Sequence, residues 1–246
     1  MKRAFVRLYA QLNDFLSPEK RMQVTTYNFA VSGSVKDVIE SFGVPHTEVD
    51  LILANGKSVD FAYQVQDGDR ICVYPTDQSL DIPSVIHLQP PPLSEPRFVA
   101  DTHLGRLAAY LRMMGFDMLY RNDNRDEDLA RLTGQMRILL TRDRGLLMRA
   151  KVTRGYFVRA TDPRAQLIEV VHRLGLIPLM APFCRCIRCN ALLRRTEKDF
   201  VNDRLLPQTR EHFDEFYICP ECERIYWKGS HYRRMQRLIE GITASN

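Results

Sequence analysis

Four aspartates carry the first chemical signal in this 246-residue chain: Asp101 in FVADTHLG, Asp126 in RDEDL, Asp143 in ILLTRDRGLL and Asp162 in ATDPRAQL. Carboxylates that converge from separate strand ends repel one another unless cations neutralise them. Hard oxygen donors of this kind suit Mg²⁺ or Mn²⁺. Two such ions, roughly 3.5–4 Å apart, activate a water and stabilise the leaving oxygen when a phosphodiester is cleaved. The same four residues also suit helix N-caps, where a short side-chain oxygen accepts a backbone N–H. Asp162, followed by Pro163, has the strongest claim to that role. Asp128 competes with Asp126 for the place in RDEDL.

The second signal is cysteine. Cys186-x-x-Cys189 and Cys219-x-x-Cys222 are two paired knuckles, and four thiolates so spaced form a tetrahedral structural Zn²⁺ site. A hairpin inserted between the knuckles accounts for their long separation. Cys184 is the spare in CRCIRC, and Cys72 reads as a buried core thiol. His212 and His231 read as surface residues, because four cysteines already fill the site. Arg185, Arg188, Arg194 and Arg195 lie near Phe200, Tyr217, Tyr226, Trp227 and Tyr232, a mixture able to hold phosphate and stack unpaired bases. Alternatively, Tyr226 and Trp227 complete a small core around the metal.

The elements that must position these residues follow from periodicity. Residues 97–180 alternate strand and helix: strands at 97–100, 117–121, 137–141 and 156–160, helices at 104–114, 127–133, 144–149 and 163–174. Leu104, Leu107, Ala108 and Leu111 follow the helical i, i+3, i+4, i+7 rule. Strands alternating with helices predict a parallel sheet with helices on both faces, and sites in such sheets form beyond the carboxyl ends of strands. Arg106 and Arg112 read as outer-face residues of the first helix. Upstream, strands at 4–10, 23–29, 49–54 and 70–74 surround a short helix opened by the Ser34–Asp37 capping box, with an Asn55-Gly56 hairpin turn. The proline-rich stretch at 76–96, with Pro90, Pro91 and Pro92 consecutive, reads as a semi-rigid linker.

The phrases SVKDVIESFGVP, LILANGKSVDF and QDGDRICVYP resemble the β-grasp, ubiquitin-like fold, especially its sulfur-carrier branch. Carriers of that branch act through a terminal Gly-Gly, which this sequence lacks. Sulfur transfer is therefore not expected, and the resemblance implies a docking or regulatory module with a possible protein partner. The segments FVADTHLGRLAAYLRMMGFD, RDEDLARL, RILLTRDRGLL and TDPRAQLIEVV resemble the PIN-like ribonucleases of the Mut-seven C-terminal family, whose bacterial members place a ubiquitin-like domain before the nuclease and a zinc ribbon after it. The expected fold is α/β: a β-grasp domain at 1–78, a linker at 79–96, a PIN-like parallel sheet at 97–180 and a zinc ribbon at 181–246. The resemblance implies a metal-dependent ribonuclease that leaves 5′-phosphate products, with Asp101, Asp126, Asp143 and Asp162 as the acidic cluster. Asp101, Asp126 and Asp143 are the expected Mg²⁺ or Mn²⁺ ligands. Arg142 and Arg144 flank Asp143 as candidates for holding the scissile phosphate, with a solvated surface as the alternative. The runner-up is a non-catalytic RNA-binding adaptor in which the aspartates only cap helices.

Composition agrees with a soluble reading. Hydrophobic residues make up 45% and charged residues 26%, and no apolar run approaches the roughly 20 residues of a membrane span. Without a signal-like amino terminus, a reducing cytoplasm is expected, where clustered cysteines hold metal more often than they form disulfides. The net charge of +5 is uneven. Residues 1–80 hold 8 Lys+Arg against 10 Asp+Glu, whereas 97–246 hold 27 against 18, with 24 of the 27 being arginine. Such an excess suits a polyanion such as RNA, without distinguishing tRNA, rRNA or mRNA.

Overall fold

A computed structural model describes residues 1–75, 85–134 and 136–244. The segment at 76–84, which holds the start of the proline-rich stretch, lies outside them. The chain divides into two compact units, Met1–Ser94 with Asn124–Phe157, and Glu95–Asp123 with Val158–Asn246.

The first unit contains a five-stranded sheet of β1 (Lys2–Leu8), β2 (Val24–Phe29), β3 (Val49–Ala54), β4 (Lys57–Val59) and β5 (Arg70–Pro75). Its order is β2-β1-β5-β3-β4, with β1 and β5 parallel and the other neighbours antiparallel. Helix α1 (Val35–Ser41) starts where Ser34 accepts from the Asp37 N–H at 3.1 Å, and Val35, Val38 and Ile39 close over Val6, Ile52, Ile71 and Val73. Asn55 and Gly56 both take positive φ, +52° and +81°, as the tight β3–β4 hairpin demands. This is the β-grasp arrangement. Cys72 differs from expectation: it is half-buried beside the Tyr9 hydroxyl, because strand alternation sends Ile71 and Val73 inward and Cys72 to the opposite face.

Residues 86–91 are strapped to this sheet. Leu88 N–H donates to the Asp50 carbonyl, and the Gln89 amide donates to the carbonyls of His46 and Val49. The same unit holds α3 (Asp126–Thr133), β8 (Arg137–Thr141), α4 (Arg144–Leu147) and β9 (Gly155–Phe157), with β8 and β9 parallel.

The second unit begins with β6 (Arg97–Ala100), α2 (Gly105–Met113) and β7 (Asp117–Leu119), with β6 and β7 parallel. Helix α5 (Pro163–Arg173) packs on α2, burying Leu107, Leu111, Leu167 and Val170. The carboxyl-terminal portion is a three-stranded antiparallel sheet, β10 (Arg194–Thr196), β11 (Phe216–Ile218) and β12 (Ile225–Trp227), followed by α8 (Ser230–Ala244). The segment between the knuckles holds the antiparallel pair β10–β11, and the connection between these strands forms two short helices, α6 (Lys198–Val201) and α7 (Pro207–His212). Val201 and Leu205 fill a small core with Phe216, an apolar contact that a bare hairpin would leave open. The architecture is mixed α/β, comprising a β-grasp sheet, parallel strands flanked by helices and a cysteine-bearing ribbon.

Candidate functional site

Each of the four aspartates lies past the carboxyl end of a strand or at a helix start. Asp101 directly follows β6, is only 6% exposed, and accepts from His103 N–H at 2.9 Å. Asp143 follows β8 and caps α4, its Oδ1 accepting from Gly145 N–H at 2.7 Å and Leu146 N–H at 3.2 Å. Its own N–H donates to Thr141 Oγ1. Asp162 caps α5 through Oδ1, which accepts from Arg164 and Ala165 N–H. The loop before it is pinned by the Glu169 carboxylate, which accepts from the Arg159 and Ala160 N–H groups, and by the Gln166 amide on the Ala160 carbonyl. Asp126 is not a cap; it opens α3 and pairs with Arg149 at 3.0 Å. Asp128 pairs with Arg131 on its own helix. Asp101 and Asp162 belong to one compact unit, and Asp126 and Asp143 to the other.

Capping and metal binding are compatible in this geometry. A cap engages one carboxylate oxygen and fixes the plane of the group. Among the described residues Oδ2 of Asp143 and of Asp162 makes no hydrogen bond. Fixed carboxylates with an oxygen in reserve are the donor chemistry that Mg²⁺ and Mn²⁺ take.

The two arginines beside Asp143 have different surroundings. Arg142 is half-buried. Arg144 points its guanidinium at the β-grasp portion of the same unit: it lies 5.1 Å from the Phe15 ring centre and 5.7 Å from that of Phe157, and donates to the Phe15 carbonyl at 3.0 Å. Nearby, His46 bridges Glu40 and the Val152 carbonyl, and buried Glu48 accepts from Phe157 N–H at 2.7 Å. Arg154 donates to the Pro91 carbonyl at 2.8 Å. The β-grasp sheet is therefore bonded at several points to the segment that carries Asp143.

The cysteines converge as their spacing requires. The Sγ atoms of Cys186, Cys189, Cys219 and Cys222 all lie within 4.8 Å of one another, with Cys186–Cys222 at 3.5 Å and Cys189–Cys219 at 3.3 Å. Tetrahedral Zn–S bonds of about 2.3 Å put sulfurs about 3.8 Å apart, so the four thiols can enclose such an ion. The knuckles repeat one backbone pattern. Asn190 N–H donates to the Cys186 carbonyl and Glu223 N–H to that of Cys219, and both Asn190 and Glu223 take positive φ. Burial opposes ionisation of Cys186, but the Tyr226 hydroxyl at 3.1 Å and backbone N–H groups overcome it and bring the thiol down to about 6. Burial and hydrogen bonding to Cys186 push Cys222 up. One thiolate thus forms readily, and a divalent cation relieves the cost of forming the rest. Tyr226 serves this site directly, whereas Trp227 is 36% exposed. Cys184 stays outside the cluster, and His212 and His231 are exposed.

One expectation for α2 is overturned. Arg112 is 5% exposed, not an outer-face residue. Its Nε donates to the Met118 carbonyl, and its Nη1 to the carbonyls of Ile187 and Arg188 inside the first knuckle. Asn190 completes the joint, accepting from Met118 N–H and donating to Asp117. Together they satisfy both backbone groups of Met118, so the knuckle covers a free edge of β7. Helical phase places Arg112 beside Leu111, and the Met118 carbonyl of β7 together with the knuckle carbonyls gives its guanidinium partners. Arg106, by contrast, is exposed as expected.

Family comparison agrees with this layout. The Mut7-C RNAse domain matches residues 96–239, and the Mut7-C ubiquitin domain matches residues 1–81. The chain belongs to the Mut7-C family. Neither a curated protein nor a solved structure matches it. The Mut7-C RNAse match spans the four aspartates and the cysteine cluster together, so both lie within one family domain. Among the described residues no helix is long and apolar enough to cross a membrane.

Proposed function

We propose that this chain is a metal-dependent ribonuclease that hydrolyses RNA phosphodiester bonds, with a zinc ribbon that supports the nuclease and aids RNA binding. The reading rests chiefly on Asp101, Asp143 and Asp162, carboxylates fixed beyond strand ends inside a Mut7-C RNAse domain. Asp101, Asp126 and Asp143 would hold Mg²⁺ or Mn²⁺, and Asp162 would orient metal or water. When bound, the cation supplies charge neutralisation and lowers the pKa of a water. The chain's own contribution is rigid placement: N-cap bonds lock the three carboxylates before substrate arrives. Arg142 and Arg144 flank Asp143 as candidates for holding the phosphate, and Arg144 also donates to the Phe15 carbonyl. The four cysteines hold Zn²⁺ structurally, because a closed thiolate set leaves no position for substrate.

The caps also favour a second reading, an RNA-binding adaptor in which those aspartates are structural only. Asp143→Asn separates the two. Asparagine caps a helix about as well as aspartate, so fold and RNA affinity should persist while a metal ligand is lost. Cleavage by wild type in Mn²⁺, absent in EDTA and in Asp143→Asn, is expected. Equal cleavage by both proteins would sink the nuclease mechanism in favour of the adaptor.

A further inference from the structure

Helix α8 has two unlike faces. Tyr232, Met235, Ile239 and Ile242 recur at helical spacing and turn inward, with Ile242 2% exposed. Arg233, Arg234 and Arg237 are exposed, and among the described residues none of them forms an ion pair. A shallow, open depression of about 500 Å³ runs along them. The one acidic residue lining it, Glu240, accepts a hydrogen bond from Gln236 rather than from an arginine.

On its inward side α8 covers a second cavity, of about 350 Å³, lined by Phe183, Tyr217, Trp227, Tyr232 and Met235 among others. That volume is at the small end for ligand sites, about 300–1,000 Å³. Its wall is built with strain: Phe183 is held at φ +65°, a conformation bulky residues avoid. The residue is fixed there by a tilted ring contact with Tyr232, centres 4.3 Å apart, and by its N–H on the Met113 carbonyl. The charged residues at the rim are already engaged, Lys228 with Glu215 and Arg185 with the Gly115 and Asn190 carbonyls. The cavity is therefore an aromatic slot with two neighbouring groups of exposed arginine among the described residues, Arg195 opposite Tyr217 on β10 and the arginine face of α8.

We propose that α8 and this slot bind single-stranded RNA, one unpaired base entering against Trp227 while the adjoining phosphates lie on Arg233, Arg234 and Arg237. Trp227 and the outward arginine row are linked through the amino end of α8, where Gly229 N–H donates to the Trp227 carbonyl and Arg233 N–H to the Gly229 carbonyl, so a strand crossing that end offers flat bases to one and regular negative charge to the other. Arg233 and Arg237 are one helical turn apart, about 6 Å along the axis, a spacing over which long side chains can follow a flexible backbone. A basic helix can also serve an anionic membrane, but α8 has no outward apolar face to insert. The proposal rests on the ribonuclease reading only for the identity of the polyanion.

Trp227 is the chain's single tryptophan, so its emission reports on the slot directly. The full-length, zinc-loaded Asp101→Asn/Asp143→Asn protein is titrated with an unstructured 12-nucleotide RNA and with a fully paired hairpin. Quenching of Trp227 by the single strand and not by the hairpin is expected. By anisotropy, Trp227→Ala should weaken single-strand binding about tenfold without changing its salt dependence, and Trp227→Phe should restore most of it. Replacing Arg233, Arg234 and Arg237 with glutamine should lower the log–log salt slope by about 2, three phosphates at about 0.7 each. An unchanged slope in that variant, equal loss of hairpin binding in Trp227→Ala, or tighter binding to phosphatidylglycerol vesicles than to RNA would each overturn the proposal. Slot binding without metal-dependent cleavage by wild type would leave this surface standing and remove the nuclease. Cleavage by wild type with unaltered binding in these variants would do the reverse.

Discussion

Arg112→Met tests whether the first cysteine knuckle and the α2–β7 segment are one cooperative structure. The substitution keeps an unbranched apolar stem and removes the guanidinium. Three carbonyls, of Met118, Ile187 and Arg188, then lose donors they meet at 2.9, 3.2 and 2.7 Å. Orphaned buried carbonyls cost about 1 kcal/mol or more each. Release of a buried charge offsets part of this, since burial alone holds the Arg112 pKa below its ordinary value. A net loss of about 2–3 kcal/mol follows, or roughly 4–12 °C in Tm at this chain length. The guanidinium is also a cation beside Cys186 and Cys189, whose negative charge favours its protonated form. Removing such a support typically costs 10–100-fold in metal affinity. Calorimetry gives the Tm, and zinc transfer to a chromogenic chelator gives the affinity. Arg106→Met, on the exposed side of the same helix, is the control and should stay within about 0.5 kcal/mol. If Arg112→Met matched that control in both measurements, the knuckle would not be coupled to α2 and β7 through this residue.

Other outcomes follow from equally local contacts. Gly115→Ala should cost about 2–3 kcal/mol in chemical denaturation, because Gly115 has φ +98° and an added Cβ would overlap the Ala181 carbonyl oxygen. Near wild-type stability there would show that the segment shifts freely. In a double-mutant cycle, Arg144→Ala and Phe15→Ala should couple by about 0.5–2 kcal/mol, the cation–π range for an exposed guanidinium over a buried ring; additive effects would show the contact to be energetically idle. In chelator-treated protein, Tyr226→Phe should move Cys186 alkylation to higher pH. The wild-type thiol is held down near 6, so its thiolate persists above that pH and is lost as pH falls through it, and removing the hydroxyl raises the value. Superimposable pH profiles would exclude Tyr226 as the cause.

Much of the molecule was determined locally, and so was legible in the sequence. Leu104, Leu107 and Leu111 mark α2, the Ser34 box starts α1, and Asn55-Gly56 turns the β3–β4 hairpin, because each depends on neighbours a few residues away. The paired CxxC knuckles were equally plain, since their ligands are chemically distinctive and two residues apart within each pair. Side-chain destination was not legible, because it depends on which distant surface arrives. Arg112 and Arg106 share a helix and a residue type, yet only Arg112 meets the carbonyls of residues 187 and 188 and is buried. Arg144 has a motif position beside Asp143, and its partner Phe15 lies 129 residues away in the β-grasp portion. Cys72 is apolar in pattern, but sheet pairing turns it away from the core. Between the knuckles, Val201 at the end of α6 and Leu205 just after it pack on Phe216, a contact made only once β11 is in place. Local propensity set the elements and the ligand types; packing between residues far apart in the chain decided which charged groups were buried, engaged or left facing solvent.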